Sequence, residues 1–148
     1  MTKRHMKYNP SFLSEAELIE NFVVRHADLD LIIRVIGENH TDSNQHVLVI
    51  GPRGSGKTTL VHRVVAEIKQ NKGLRDRWYP LIFSEESYEV VSAGEFWLEA
   101  LFHLSEQTND EKWKRTYDEL KDETDDQRLL ERALAQLLDF ADSQGKRI

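Results

Sequence analysis

The residues best suited to chemistry form one run, Gly51-Pro52-Arg53-Gly54-Ser55-Gly56-Lys57-Thr58-Thr59. The stretch from Gly51 to Thr58 satisfies G-x-x-x-x-G-K-[ST], a spacing whose chemistry is the cradling of phosphate. Gly54 and Gly56 have no Cβ, so the backbone there takes conformations closed to other residues and approaches an oxyanion closely. Gly51 lets the chain leave the preceding segment sharply. Successive N–H groups then converge on one concavity, and a helix beginning near Lys57 adds the partial positive charge of its N-terminus. In this reading Lys57 reaches the β- and γ-phosphates, and the Thr58 hydroxyl helps hold Mg²⁺. Thr59 is a further phosphate contact. Arg53 is either a phosphate-positioning group or an ordinary exposed arginine. Pro52 and Ser55 complete the candidate nucleotide-binding set, and no residue is assigned a catalytic role.

The motif has meaning only between a strand and a helix, and the flanking sequence supplies both patterns. Val47-Leu48-Val49-Ile50 is apolar at successive positions, as in a strand buried on both faces of a parallel sheet. Leu60, Val61, Val64, Val65 and Ile68 recur at helical spacing, which predicts a helix from about Lys57 to Gln70 that stops near Asn71 and Gly73. Upstream, Ser14-Glu15-Ala16-Glu17 fits a capping box opening a short helix through Glu20. Leu29, Ile32, Ile33 and Ile36 predict an amphipathic helix ended by Gly37 and Asn39. Downstream, Tyr79-Pro80-Leu81-Ile82-Phe83 reads as a second strand, with Pro80 at its start or on an edge. Ser92-Ala93-Gly94-Glu95 is a second capping box, opening a helix that carries Phe96, Trp97, Ala100, Leu101 and Leu104. Phe96 and Trp97 are expected in the core. Trp113, Tyr117 and Leu120 mark a short helix. The acidic link at 122–126 caps a last helix through Leu130, Ala133, Leu134, Leu137 and Leu138, closed near Gly145.

The chain has 148 residues, 39% of them hydrophobic, enough for one domain with a lean core. A net charge of −6 argues against a broad nucleic-acid-binding face. There is no cysteine, so disulfides and thiolate metal sites are excluded. The six histidines are scattered at no metal-ligand spacing. No apolar run approaches the roughly 18 residues of a membrane span. Residues 1–13 read as a basic arm leading into no apolar signal core. The expectation is a cytoplasmic protein with no membrane partner.

Phosphate-loop enzymes also need an acidic site, usually at the end of an apolar strand, where an Asp assists Mg²⁺ and a Glu orients water. No such strand is visible. Asp110-Glu111 and Asp122-Glu123 sit in polar, helical surroundings and read as caps and surface charges. Ser84-Glu85-Glu86 is either a polar strand-to-helix loop or a group close to Mg²⁺ and water. Asp142-Ser143-Gln144-Gly145 matches the D-x-x-G of GTPases but ends a helical pattern, so GTP specificity has little support. The sequence stops where a βαβ pattern would begin its next strand, which reads as a fragment cut before the acidic strand.

Phe22-Val23-Val24-Arg25, followed by Asp28-Leu29, resembles the F-V-G-R-x-x-E-L motif of AAA+ ATPases related to origin-recognition proteins and bacterial signalling ATPases. Gly51 to Thr59 and the upstream Asn9-Pro10-Ser11-Phe12 are similar to that group as well. Val24 stands where the group has Gly, and Asp28 where it has Glu. The resemblance implies an α/β fold: a P-loop NTPase of AAA+ type with a three-layer αβα core, here truncated before the Walker B strand. Residues 14–148 would be the N-terminal part of that ATPase domain. It implies ATP and Mg²⁺ as cofactors, an adenine pocket at Phe22, Val23 and Arg25, and a homo-oligomer in the longer protein. Hydrolysis is expected only there, and a DNA or protein partner would engage a C-terminal region outside this sequence. Two further readings stay open: a nucleotide-gated signalling scaffold of slow or no turnover, and a small-molecule kinase, which would need an arginine-rich lid unlike the acidic region 106–131. With the acidic strand absent, the few strands present are expected to form no self-sufficient sheet.

Overall fold

The computed structural model describes residues 13–39, 45–83 and 90–148. Most of the basic arm, Asn9 to Phe12, and Ser84, Glu85 and Glu86 lie outside the described residues. The chain divides into two compact units, Met1–Asp76 and Arg77–Ile148.

In the first unit the helices are α1 (Glu15–Asn21), α2 (His26–Glu38), α3 (Lys57–Gln70) and α4 (Lys72–Arg75). Helix α1 starts where the capping box predicts. The Ser14 hydroxyl accepts from the Glu17 N–H at 3.3 Å, and the Glu17 carboxylate accepts from the Ser14 N–H at 3.1 Å. Helix α3 is the hub, packed by α1, α2 and α4. Its Leu60, Val64, Ala66 and Ile68 are buried, as are Leu18 of α1, Phe22, Leu29 of α2 and Leu74 of α4. Lys69 pairs with Glu15 at 3.0 Å, tying α3 to α1.

The second unit holds α5 (Ala93–Thr108), α6 (Glu111–Leu120) and α7 (Asp126–Gln144). Helix α5 packs on both α6 and α7. Ala100, Leu101, Leu104, Trp113, Leu120, Leu129, Ala133, Leu137 and Phe140 form one buried cluster. Tyr79 and Trp113 both place ring edges against Phe140, at centroid distances of 4.8 and 5.5 Å. Asp110 caps α6, accepting from the Lys112 N–H at 2.8 Å, and Asp125 caps α7, accepting from the Arg128 N–H at 2.9 Å. The D-x-x-G run is the C-terminal end of α7, where Gly145 takes φ 61° and its N–H donates to the Asp142 carbonyl. That geometry is a left-handed helix stop and accounts for the glycine without a nucleotide.

The three-layer αβα core is not what the chain forms. Among the described residues there is no strand and no sheet; the one β feature is an isolated parallel bridge between Trp78 and Arg147. There the Tyr79 N–H donates to the Arg147 carbonyl at 2.7 Å and the Arg147 N–H to the Arg77 carbonyl at 2.8 Å. Tyr79, Leu81 and Phe83 alternate inward onto the helical cluster, so the segment keeps the period of a strand without a ladder. Leu48 and Ile50, expected inside a sheet, are 83% and 81% exposed. The physical reason is that a strand, unlike a helix, cannot satisfy its own backbone: it exists only where a neighbour accepts and donates. Phe96 also departs from expectation. It is 43% exposed and stacks on Phe83 at 5.2 Å, whereas Trp97 does pack against the cluster.

Replacing Asp125 by alanine is expected to destabilise the second unit by about 1 kcal/mol, because the Arg128 N–H loses its acceptor at the start of α7. Trp78, Trp97 and Trp113, the three tryptophans of the chain, all lie in that unit. Urea unfolding followed by tryptophan fluorescence reads the change directly.

Candidate functional site

The phosphate-loop motif lies in the first unit, between residues 47–50, which form no strand, and α3. Gly54 and Gly56 both take φ 79°, the left-handed region where glycine alone is unstrained. Gly56 is the N-cap of α3, and the first intrahelical bond is Leu60 N–H to Gly56 carbonyl at 2.9 Å. The N–H groups of Gly56, Lys57 and Thr59 therefore precede the helix ladder and are available to an anion. Ser55 N–H donates to the Pro52 carbonyl at 3.2 Å, closing a turn across Arg53 and Gly54. Pro52, Arg53 and Gly54 are exposed, while Ser55 to Thr59 are half-buried.

Two side chains define the interior of the loop. The Lys57 ammonium donates to the Gly51 carbonyl at 2.7 Å and to the Pro52 carbonyl at 2.9 Å, folding back across the loop. The Ser55 hydroxyl is buried without a hydrogen-bond partner. It sits over Gly51, where a Cβ would lie 2.7 Å from Ser55 Oγ and would require that hydroxyl to rotate away.

The residues expected to form an adenine pocket, Phe22, Val23 and Arg25, differ in exposure. Phe22 is buried, with His26 against it edge to face at 5.3 Å, and so belongs to the core of the unit. Val23 is 75% exposed. Arg25 takes φ 64°, ψ 27° at the start of α2. Its Nε donates to Asp28 Oδ2 at 2.6 Å and its Nη1 to the Ser55 carbonyl at 3.3 Å. The upstream segment and the phosphate loop, 30 residues apart, thus meet through one guanidinium.

Residues 21–148 match the AAA ATPase domain family. The chain belongs to that family. The match begins just before Phe22 and takes in both the Arg25 segment and the whole phosphate loop. No curated protein and no solved structure matches the chain.

The residues present in this AAA ATPase domain fit a nucleotide phosphate. A buried hydroxyl lacks a partner, two glycines hold the left-handed turn, and one ammonium is satisfied only by loop carbonyls that a phosphate oxygen can outbid electrostatically. Thr58, in the first turn of α3, is the residue that would hold Mg²⁺. Among the described residues no group of three or more His, Cys, Asp or Glu is arranged to hold a metal by itself. No described helix is long and apolar enough to cross a membrane. Sequence reasoning did not find the Arg25–Ser55 link or the orphaned Ser55 hydroxyl. The Arg25-x-x-Asp28 spacing at a helix start was the only signal of the former.

Proposed function

We propose that this AAA ATPase domain binds Mg-ATP, with the triphosphate received by Gly51, Pro52, Arg53, Gly54, Ser55, Gly56, Lys57, Thr58 and Thr59. The observation that carries this reading is the loop itself: glycines at φ 79° and a folded-back Lys57 at the N-terminus of α3. Backbone donors and the Lys57 charge would hold the phosphates, and the Thr58 hydroxyl would hold Mg²⁺, which offsets the charge on their oxygens. The base would lie toward Phe22, Val23 and Arg25. Kinship with the origin-recognition-related and signalling ATPases rests on those residues and is part of the same proposal.

The chain supplies groups that hold a triphosphate, and none is assigned to orient water or to act as an arginine finger. Such a finger contributes roughly 10³ to 10⁵ in turnover. Binding with negligible hydrolysis is therefore expected of this polypeptide. Oligomeric partners would supply the finger in the manner of AAA+ relatives. Titration with a fluorescent ATP analogue, with and without Mg²⁺, tests the reading. Saturable, Mg²⁺-dependent binding displaced by ATP in preference to GTP is expected. Absence of binding removes the assignment, and equal displacement by GTP removes the adenine preference. Phosphate release well above that of a Lys57→Ala blank would show that a catalytic carboxylate is present in the chain.

A further inference from the structure

We infer that Arg25 is a positioning residue for the phosphate loop, locking the Ser55–Gly56 peptide in the orientation that offers the Gly56 N–H to an anion. The inference rests on the proposal that the loop receives phosphate.

Three observations combine. First, the guanidinium is itself aimed. Asp28 stands in the first turn of α2, on a rigid element, and takes the Nε edge at 2.6 Å, leaving Nη1 to reach the Ser55 carbonyl at 3.3 Å. Secondly, a trans peptide is planar, with its C=O and N–H on opposite sides. Drawing the Ser55 carbonyl toward Arg25 therefore turns the Gly56 N–H away from Arg25. Gly56 has φ 79° and no Cβ, so nothing in its own chemistry prevents this peptide from flipping. A lock supplied from elsewhere is what the loop lacks, and Arg25 supplies it. Thirdly, Arg25 holds a left-handed backbone that a side-chain-bearing residue rarely adopts, and its side chain makes no capping bond to α2. Capping alone would be better served by Ser, Asp or Gly, so the guanidinium and its two contacts are the reason for an arginine at this position.

This role differs from contact with the base. A base contact affects nucleotides and leaves pyrophosphate unaffected; a loop lock affects both alike. The experiment uses the full chain with Arg25→Gly, which keeps the left-handed backbone without strain, and Asp28→Asn, which preserves shape while releasing the guanidinium. Asp28→Glu keeps the carboxylate. Amide ¹⁵N relaxation at Gly56 is measured without ligand, and affinities for pyrophosphate and for the fluorescent ATP analogue are measured alongside.

Larger-amplitude motion of the Gly56 N–H vector is expected in Arg25→Gly and Asp28→Asn, with near-parental motion in Asp28→Glu. In Asp28→Asn, which keeps the arginine beside the base, both ligands are expected to weaken by the same factor, roughly three- to tenfold, the worth of one hydrogen bond, and Arg25→Gly should weaken pyrophosphate at least as much. Arg25→Gly with Asp28→Asn should lose no more than Arg25→Gly alone, because Asp28 acts through Arg25. Unchanged motion of the Gly56 N–H vector, or loss of ATP-analogue affinity with pyrophosphate unaffected, overturns the inference. If the parental chain binds neither ligand, the phosphate reading fails, and the relaxation measurement still decides whether the lock exists.

Discussion

Lys57→Ala is expected to weaken binding of the ATP analogue by roughly ten- to hundredfold, the worth of one charge-assisted hydrogen bond to phosphate. The ammonium folds back across the loop, 2.7 and 2.9 Å from the Gly51 and Pro52 carbonyls. Its loss acts twice. The phosphate loses its cation, and those two carbonyls lose a donor that now draws the two ends of the turn together. Lys57 is half-buried at the first position of α3, where alanine is a good helix former, so the helix itself should persist. Far-UV circular dichroism unchanged from the parental chain, together with the loss in affinity, is the expected pair of results. Parental affinity in the variant would mean that the nucleotide binds elsewhere, and the assignment of the loop would be withdrawn.

Gly94→Ala is expected to destabilise the second unit by about 2–4 kcal/mol. Gly94 is buried at the N-terminus of α5, against the N-terminus of α7. A Cβ there would overlap Asp126 Oδ1 and lie 2.7 Å from the Asp126 backbone oxygen and 3.1 Å from Leu129 Cβ. The carboxylate can rotate away, but the backbone oxygen moves only if α7 moves. Displacement also breaks the Gly94 N–H bond to Asp126 at 2.9 Å and the bond the Ser92 hydroxyl donates to the same carboxylate. That carboxylate lies where two helix N-termini meet, each with a partial positive charge, and offsets their repulsion. The test is urea unfolding read by tryptophan fluorescence, which reports this unit alone. A lower midpoint at unchanged slope is expected. A variant as stable as the parent would show that α5 and α7 are not held as close as Gly94 permits.

The helices were legible because their determinants are local. Ser14–Glu17 and Ser92–Glu95 are capping boxes in the structure as in the sequence, and α3 runs from Lys57 to Gln70 as its periodicity predicts. Each helix closes its own hydrogen bonds within four residues and finds its caps within three. The phosphate loop was legible for a related reason: Gly54 and Gly56 are needed by the backbone where they stand. The strands were not. Val47-Leu48-Val49-Ile50 and Tyr79 to Phe83 have the composition of strands, but a ladder depends on partners far along the chain, and composition does not contain them.

By itself, then, the sequence determined six of the seven helical segments, all but the short α4, and a loop fitted to phosphate. Tertiary structure decided the rest: the division at Asp76, the sheetless state of the apolar segments, Asp126 shared between two helices, and Arg25 brought to the Ser55 carbonyl. Helical bonds and glycine turns are written within a few residues. Ladders, shared caps and a guanidinium reaching across 30 residues arise only when distant parts of the chain are packed together.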